Sequence, residues 1–452
     1  MKEPWWHETC KLENMRLPGW PWLALSSLLI SSFLTAAVRP RYGGTLTVEL
    51  SGAWTTLDPG SFKTALSIPV TETLVLVNAR GEIQPVLAVA WQHDPDFKRW
   101  RFSLRPKVTF QDGEALTAAT AAPSLLAALK QVYGDVSMEA GGQALVVQSD
   151  HSMPDLLEQL ALPDARIFRK SDANPLIGTG PFRVTRWEPG RRLTLGAFDD
   201  YWSGRPYLDS VEIEFGSGRG RADLFDIPVG PARRILPESL ATWSSAPRTL
   251  VAIIAANADP VMLQALALLI DRAPIVNVLA QRKGEAAFGL LPQWLSGYAF
   301  LFQSTPDVMR AKQLVAQLHL GPMSLSYPAS DMFLRSVAER VALNARDAGI
   351  TIQPTSNANG NLRLIEWPLE STDGGHEIRR LAEQMGAGDR AKQLDPAKPE
   401  TLYQLERSLL DDHRIIPLVH LRETYGITPK VHSQPSSSDA FTLHLEDTWV
   451  LP

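Results

Sequence analysis

Apolar positions in the first half of the chain recur every second residue in short runs that end at turn-forming residues. Leu46, Val48 and Leu50 alternate with Thr45, Thr47 and Glu49 after Gly43-Gly44, and Leu57-Asp58-Pro59 ends the segment. Trp100, Phe102 and Leu104 mark a second strand and Val108 and Phe110 a third, before a turn at Asp112-Gly113. Such alternation predicts β-strands. A helix is expected from Thr117, a short strand over Ala144–Gln148 and a helix over Met153–Leu162. Residues 177–215 hold the densest pattern: a Gly178-Thr179-Gly180-Pro181 turn, two partly alternating runs joined by Pro189-Gly190, an aromatic corner at Tyr201-Trp202, and the strand Val211–Phe215. The Gly-Thr-Gly-Pro turn suits backbone that a side chain would obstruct.

The pattern then changes period. Thr249–Asn257 is a continuous apolar run of strand length, which predicts a buried strand. Thr305-Pro306 has the composition of a helix start, with Ala311, Leu314, Val315 and Leu318 on one face and Gly321 at the end. A strand over Ser324–Tyr327, a helix over Asp331–Ala348 with Val337, Val341 and Ala345 inward, and a strand over Ile350–Ile352 follow. This β–helix–β alternation argues for a parallel sheet with covering helices. The chain closes with a helix over Leu402–Leu410, a strand over Arg414–Val419, a linker at Pro435–Ser438 and a final strand through Phe441, Leu443 and Leu445.

At 452 residues, 44% of them hydrophobic, the chain has length and apolar content for two or three domains. A formal net charge of −5 gives no reason to expect a nucleic-acid partner, and the single cysteine, Cys10, excludes an intrachain disulfide. Leu23–Leu34 is apolar and uncharged, and Thr35-Ala36-Ala37 places small residues before Val38. That composition reads as a secretory signal peptide, or as an N-terminal anchor, over residues 1–37. Met15-Arg16 directly before the apolar run makes a cleaner start than Met1. The chain has no His-Glu-x-x-His, Gly-x-Ser-x-Gly or Gly-x-x-x-x-Gly-Lys motif, and its nine histidines do not cluster at metal-ligand spacing. No catalytic residue, cofactor or metal site is therefore assigned, and an enzyme is not expected. Asp112 and Glu114 read as a polar turn, and Asp271-Arg272 as a helix cap with surface charges.

The run GTGPF…W-x-PG-x-RL-x-L…DYW-x-G-x-PYLD-x-V-x-I-x-F over 178–215 resembles the central signature of the family 5 extracytoplasmic solute-binding proteins, the peptide- and nickel-binding receptors of bacterial ABC importers. The opening Gly43-Gly44-Thr45-Leu46 with Leu57-Asp58-Pro59 is similar to that family. So are Arg99–Ala118, the segment 72–91 read as an Arg80-Gly81 turn followed by a helix over Pro85–Trp91, and Val261–Leu279. The resemblance implies an α/β, two-lobed periplasmic-binding-protein fold of type II, family 5 variety. Lobe one would be discontinuous, at 38–256 and 415–452, with a reduced extra subdomain at about 60–170. Lobe two would span 257–414, with the strands Leu250–Ala256 and Ile415–Val419 as the hinge. It implies a monomer outside the cytoplasm that captures a peptide or other small solute by hinge closure and hands it to a permease in the inner membrane. The acidic motif with which the family's peptide receptors hold an α-amino group is missing after Asn361–Pro368, where Glu366 and Asp373 are the nearest carboxylates. The resemblance places Trp54, Glu366, Trp367 and Tyr425 at the interlobe cleft, with the indoles stacking on a flat ligand part and Glu366 pairing with a cation. The same scaffold without transport, as a sensor or accessory protein, and a secreted hydrolase are the alternatives.

Overall fold

The computed structural model describes residues 39–451, apart from 59–65, 68, 79–80, 172–175, 217–221, 231–239, 256–257, 303–304, 320, 392–393, 395–397 and 434–442. The reading of residues 1–37 as a signal segment, the linker and Phe441 lie outside the described residues. The alternating run after Gly43-Gly44 is β1 (Thr45–Leu50), which buries Leu46, Val48 and Leu50. The Pro189-Gly190 hairpin is β2 (Phe182–Glu188) and β3 (Arg192–Ala197). It is followed by β4 (Ser210–Phe215), which buries every second residue, Val211, Ile213 and Phe215. The short β5 (Leu224–Asp226) completes this side. Beyond it lie the long β6 (Ala241–Ala255), then β7 (Gly284–Ala286), β8 (Met323–Ser326), β9 (Ile352–Thr355), β10 (Leu362–Pro368) and the long β11 (Ile415–Ile427).

All eleven strands belong to one sheet, in the order β9-β8-β10-β6-β11-β5-β1-β4-β3-β2, with β7 added on β11. β6 and β11 are antiparallel partners that run through both halves of it. In the first half Tyr425–Ile427 of β11 pair with β5, with Ala241–Ser244 of β6 on the other side of β11; in the second half Thr249–Ala255 of β6 pair with β10, with Ile415–Leu421 of β11 on the other side of β6. The ladder between them shifts register at Ser244/Pro247 and again at Pro247/Thr249, and Pro247 has no N–H to donate.

Core membership changes at the same place. Tyr425 packs with Leu46, Val48, Leu193, Leu195 and Ile213 in the first half. Val251, Ile253, Ile416 and Leu418 pack in the second, with Met262, Leu266, Val337 and Val341. Leu250, Ala252 and Ile415 face the opposite side, against Leu291, Ile378, Leu381 and Leu409. The apolar stretches 250–255 and 415–419 thus lie within the second half's core.

A separate core fills the segment between β1 and β2. Strands 88–93, 99–104, 144–148 and 137–141 form a four-stranded antiparallel sheet in that order, and α1 (Ala118–Tyr133) covers it. Trp100, Phe102, Leu104, Leu125, Leu129, Leu145 and Val147 are among its buried residues. Thr117 caps α1, accepting from the Thr120 backbone N–H at 3.2 Å. The short α2 (Leu156–Leu160) completes the layer. The second half is covered by α3 (Pro260–Leu269), α4 (Val308–Val315), α5 (Met332–Arg346), α6 (Gly374–Gln384) and α7 (Pro399–Asp411).

The Gly-Thr-Gly-Pro turn joins the extra subdomain to the sheet. A Cβ at Gly178 would stand 1.9 Å from the Val70 carbonyl oxygen, and one at Gly180 2.4 Å from that of Pro69, so only glycine permits this approach. The Glu72 carboxylate closes the joint, accepting from the Thr179 hydroxyl (2.7 Å), the Tyr201 hydroxyl (2.8 Å) and the Trp202 indole N–H (3.0 Å). Burial pushes its pKa up to about 6 against these donors, which pull it down. The aromatic corner is therefore a structural clasp.

Several local expectations change. Pro85–Trp91 is not a helix. Ile83–Pro85 and Ala88–His93 are strands, the second paired with Arg99–Leu104, because a partner strand a few residues away outweighs the helix propensity of alanine and leucine. The helix over 153–162 shrinks to α2 and a following 3₁₀ turn. Asp307, not Thr305, caps α4, accepting from Arg310 N–H at 2.8 Å. The apolar segment 261–279 breaks after Leu269, where Asp271 accepts from Ala273 N–H and starts a new turn. Arg272 is buried rather than on the surface, donating from Nε to the carbonyls of Ala287 (2.7 Å) and Pro417 (3.0 Å).

Candidate binding cleft

Where β6 and β11 pass from one half to the other, a cavity of about 390 Å³ opens between the halves. The first half contributes Leu50, Ser51, Trp54 and Asp226, the second Asp331, Phe333 and Glu366, and the crossing strands Thr249 and Leu421–Tyr425. Local chemistry fixes each wall. Asp226, at the end of β5, accepts from the Ser51 backbone N–H at 2.9 Å and from its hydroxyl, tying β5 to the end of β1. Trp54 packs against Phe215, ring centroids 5.1 Å apart and planes tilted by 46°, and its carbonyl accepts from Gly190 N–H at 2.6 Å. Asp331 is the N-cap of α5, accepting from Leu334 N–H at 2.9 Å; Phe333, in the first turn of that helix, is 4% exposed and packs in the second half's core, reaching the cavity only with an edge.

Glu366 stands on β10, opposite Val251 of β6. Among the described residues no donor or cation contacts its carboxylate. The group is open to the water of the cleft yet walled on most sides. That partial loss of solvent, with the negative charge of Asp331 nearby, pushes its pKa up to about 7. On β11, the Arg422 guanidinium lies 3.5 Å from Glu285, and Glu423 accepts from the Tyr425 hydroxyl at 2.7 Å. Polar contacts also bridge the halves. Lys283 donates from Nζ to the Pro228 carbonyl (2.9 Å) and Gln281 from Nε2 to that of Gly230 (2.9 Å). Between the extra subdomain and α6, Arg379 lies 3.4 Å from Asp155 and Gln159 Nε2 3.3 Å from His376 Nδ1.

Three of the four residues singled out from the sequence, Trp54, Glu366 and Tyr425, meet at this cavity. Tyr425 is only 2% exposed and packs against Trp243, so it is a core residue whose edge reaches the cleft. Trp367 is elsewhere. Adjacent strand residues point to opposite faces. Its indole accordingly packs with the Leu250, Ile378 and Leu381 core, under the Arg380 guanidinium 4.4 Å from the ring centroid. Asp373 is also outside the cavity, as the N-cap of α6, accepting from Gly375 N–H at 2.8 Å and His376 N–H at 3.1 Å. Sequence reasoning missed Asp226, Asp331 and Phe333 as cleft residues. Asp331 was legible as a helix start, but which end of α5 meets the cleft depends on the sheet order. Among the described residues no group of three His, Cys, Asp or Glu side chains is placed to hold a metal ion.

Residues 82–381 match the model for the middle region of bacterial extracellular solute-binding proteins, family 5. The nickel-binding protein NikA of Staphylococcus aureus is 29% identical over 215 residues, 43% of this chain and 43% of that protein. The chain thus aligns with less than half the length of this curated relative. Among solved structures, NikA from Staphylococcus aureus in complex with Ni(L-His)2 superposes with a TM-score of 0.74 at 19% identity, covering 89% of this chain and 99% of that one. DppA from Helicobacter pylori in complex with the peptide STSA also gives a TM-score of 0.74, at 16% identity, covering 91% and 98%. These likenesses establish the two-lobed type II fold.

Proposed function

Because the chain belongs to the family 5 bacterial extracellular solute-binding proteins, we propose that it is the receptor of an ABC importer, working outside the cytoplasm as a monomer and delivering its ligand to a membrane permease. It binds a small solute between its lobes and does no chemistry on it. The observation that carries this reading is the cavity at the strand crossing, walled by Trp54 from one half and Glu366 from the other. The lobes correspond to residues 40–244 with 424–451 and to 249–421, since core membership changes between these limits. Closure bends β6 and β11 at their register shifts, where the ladder is already interrupted. A ligand that touches both walls binds the closed state better and shifts the population toward it. The bridging contacts of Lys283, Gln281 and Arg379 are polar and few, so they form and break without exposing apolar core.

The test is native mass spectrometry of protein purified without denaturation, followed by small-angle scattering before and after the bound molecule is removed. A smaller radius of gyration in the loaded protein is expected. Superposable curves for loaded and emptied protein would remove the closure mechanism.

A further inference from the structure

We infer that the cleft selects a small organic cation with a flat apolar body, and that Glu366 and Asp331 are the residues that set this preference. The inference rests on the receptor reading and names the ligand class of that same cavity.

Charge comes first. Glu366 and Asp331 reach the cavity from two different elements, β10 and the start of α5, and neither has a cation beside it among the described residues. Asp331 receives one backbone N–H and Glu366 receives none. Two like charges held near each other in a partly dry cleft repel, and an ammonium or guanidinium placed between them relieves that repulsion while donating hydrogen bonds to both. An anionic ligand would add a third negative charge. Arg422, the cationic side chain that lines the cavity among the described residues, has Glu285 at 3.5 Å and the Ser245 carbonyl at the same distance.

Shape comes second. Trp54 stands partly buried on the first half's wall with its ring held against Phe215, while Phe333, two residues beyond Asp331, is 4% exposed and adds only an apolar edge. An indole beside a carboxylate pair accepts a flat apolar group and favours a cation next to it. The volume of about 390 Å³ is near the low end of small-molecule pockets, which favours a compact ligand over an extended peptide.

Phenethylamine, its acid counterpart 3-phenylpropionate and the peptide Ser-Thr-Ser-Ala, titrated calorimetrically into the mature protein at pH 8, test the class. The amine is expected to bind and the acid not to. Glu366→Gln should weaken amine binding at least tenfold, with no fall in the melting temperature of the ligand-free protein. Asp331→Asn, which keeps a capping side chain, should weaken it as well. The geometry also gives a pH signature. Only the ionised carboxylate pairs with the amine, so affinity should fall as pH drops below about 7, and Glu366→Gln should abolish that slope. The other ionisable groups facing the cavity, Asp226, Asp331, Glu423 and Arg422, remain in the variant. Preferential binding of 3-phenylpropionate or the peptide overturns the cation class and leaves the receptor reading standing. If none of the three binds, the class is wrong. If native mass spectrometry also finds no small molecule retained by the protein, the receptor reading falls with it.

Discussion

Replacing Trp367 with alanine separates a cleft residue from a core residue. Its indole lies in the outer core of the second half, partly buried, with Arg380 stacked above it and Glu377 and Glu370 holding that guanidinium in turn. Truncating a fully buried tryptophan costs about 3–5 kcal/mol, so partial burial puts this change near 2–3 kcal/mol. Loss of the cation–π contact is part of that sum, about 1 kcal/mol at a partly shielded site. An unfolding entropy of about 2.1 cal/mol/K per residue over roughly 400 residues gives close to 0.8 kcal/mol/K, so Tm should fall by about 3 °C if the chain melts as one unit. If the second half melts alone, with roughly 170 residues, the drop is nearer 7 °C. Differential scanning calorimetry measures the shift, and calorimetric titration with phenethylamine should return the wild-type affinity. A tenfold loss of affinity with a Tm change under about 1 °C would place the indole in the cleft and refute the face assignment.

Two further outcomes follow from the sequence and the buried charges. N-terminal sequencing of exported protein should begin near Val38, and an intact 17–37 segment on soluble cytoplasmic protein would overturn the signal reading. Glu406 is fully buried, accepting from the Leu290 and Leu291 N–H groups, and burial pushes its pKa up to about 7 from an ordinary 4.5. A folded-state pKa above the unfolded one adds stability that is full below about 4.5 and lost as pH rises through 7. Wild-type protein should therefore gain up to ~1.4 kcal/mol per pH unit from this group below about 7. His420 is held neutral by burial, its pKa near 4, and opposes the gain below about 6.5. Comparing urea midpoints at pH 8 and 6 with those of Glu406→Gln isolates the glutamate, and equal pH slopes in the two proteins would count against it.

Much of the architecture was legible because it is written in local periodicity. β1, β4, α1 and α5 lie close to where alternation, capping residues and helical stripes put them, and the Gly178–Pro181 turn marks a real backbone crossing. The long strands were only half legible. The apolar Leu250–Ala255 reads as a strand, but Ala241–Arg248 carries serines and a proline, and only pairing with β11 makes it one. The same is true of β11 beyond Val419, where His420, Arg422 and Glu423 look like surface sequence. The cleft was legible only as far as strand register allowed. Glu366 and Trp367 are neighbours in sequence, and the pleat decides which of them meets a ligand.

The sheet that continues through both lobes also limits how the protein can move. Backbone ladders resist sliding, because any slip of one residue would turn every inward side chain outward. They yield readily to torsion. The ladder is interrupted between Ser244 and Thr249. If the lobes close as proposed, torsion about that stretch would let them close along one path, with the angle at which they stop set by the bulk of the molecule held. Ligands of different size would then leave a graded series of shapes for a membrane partner to discriminate.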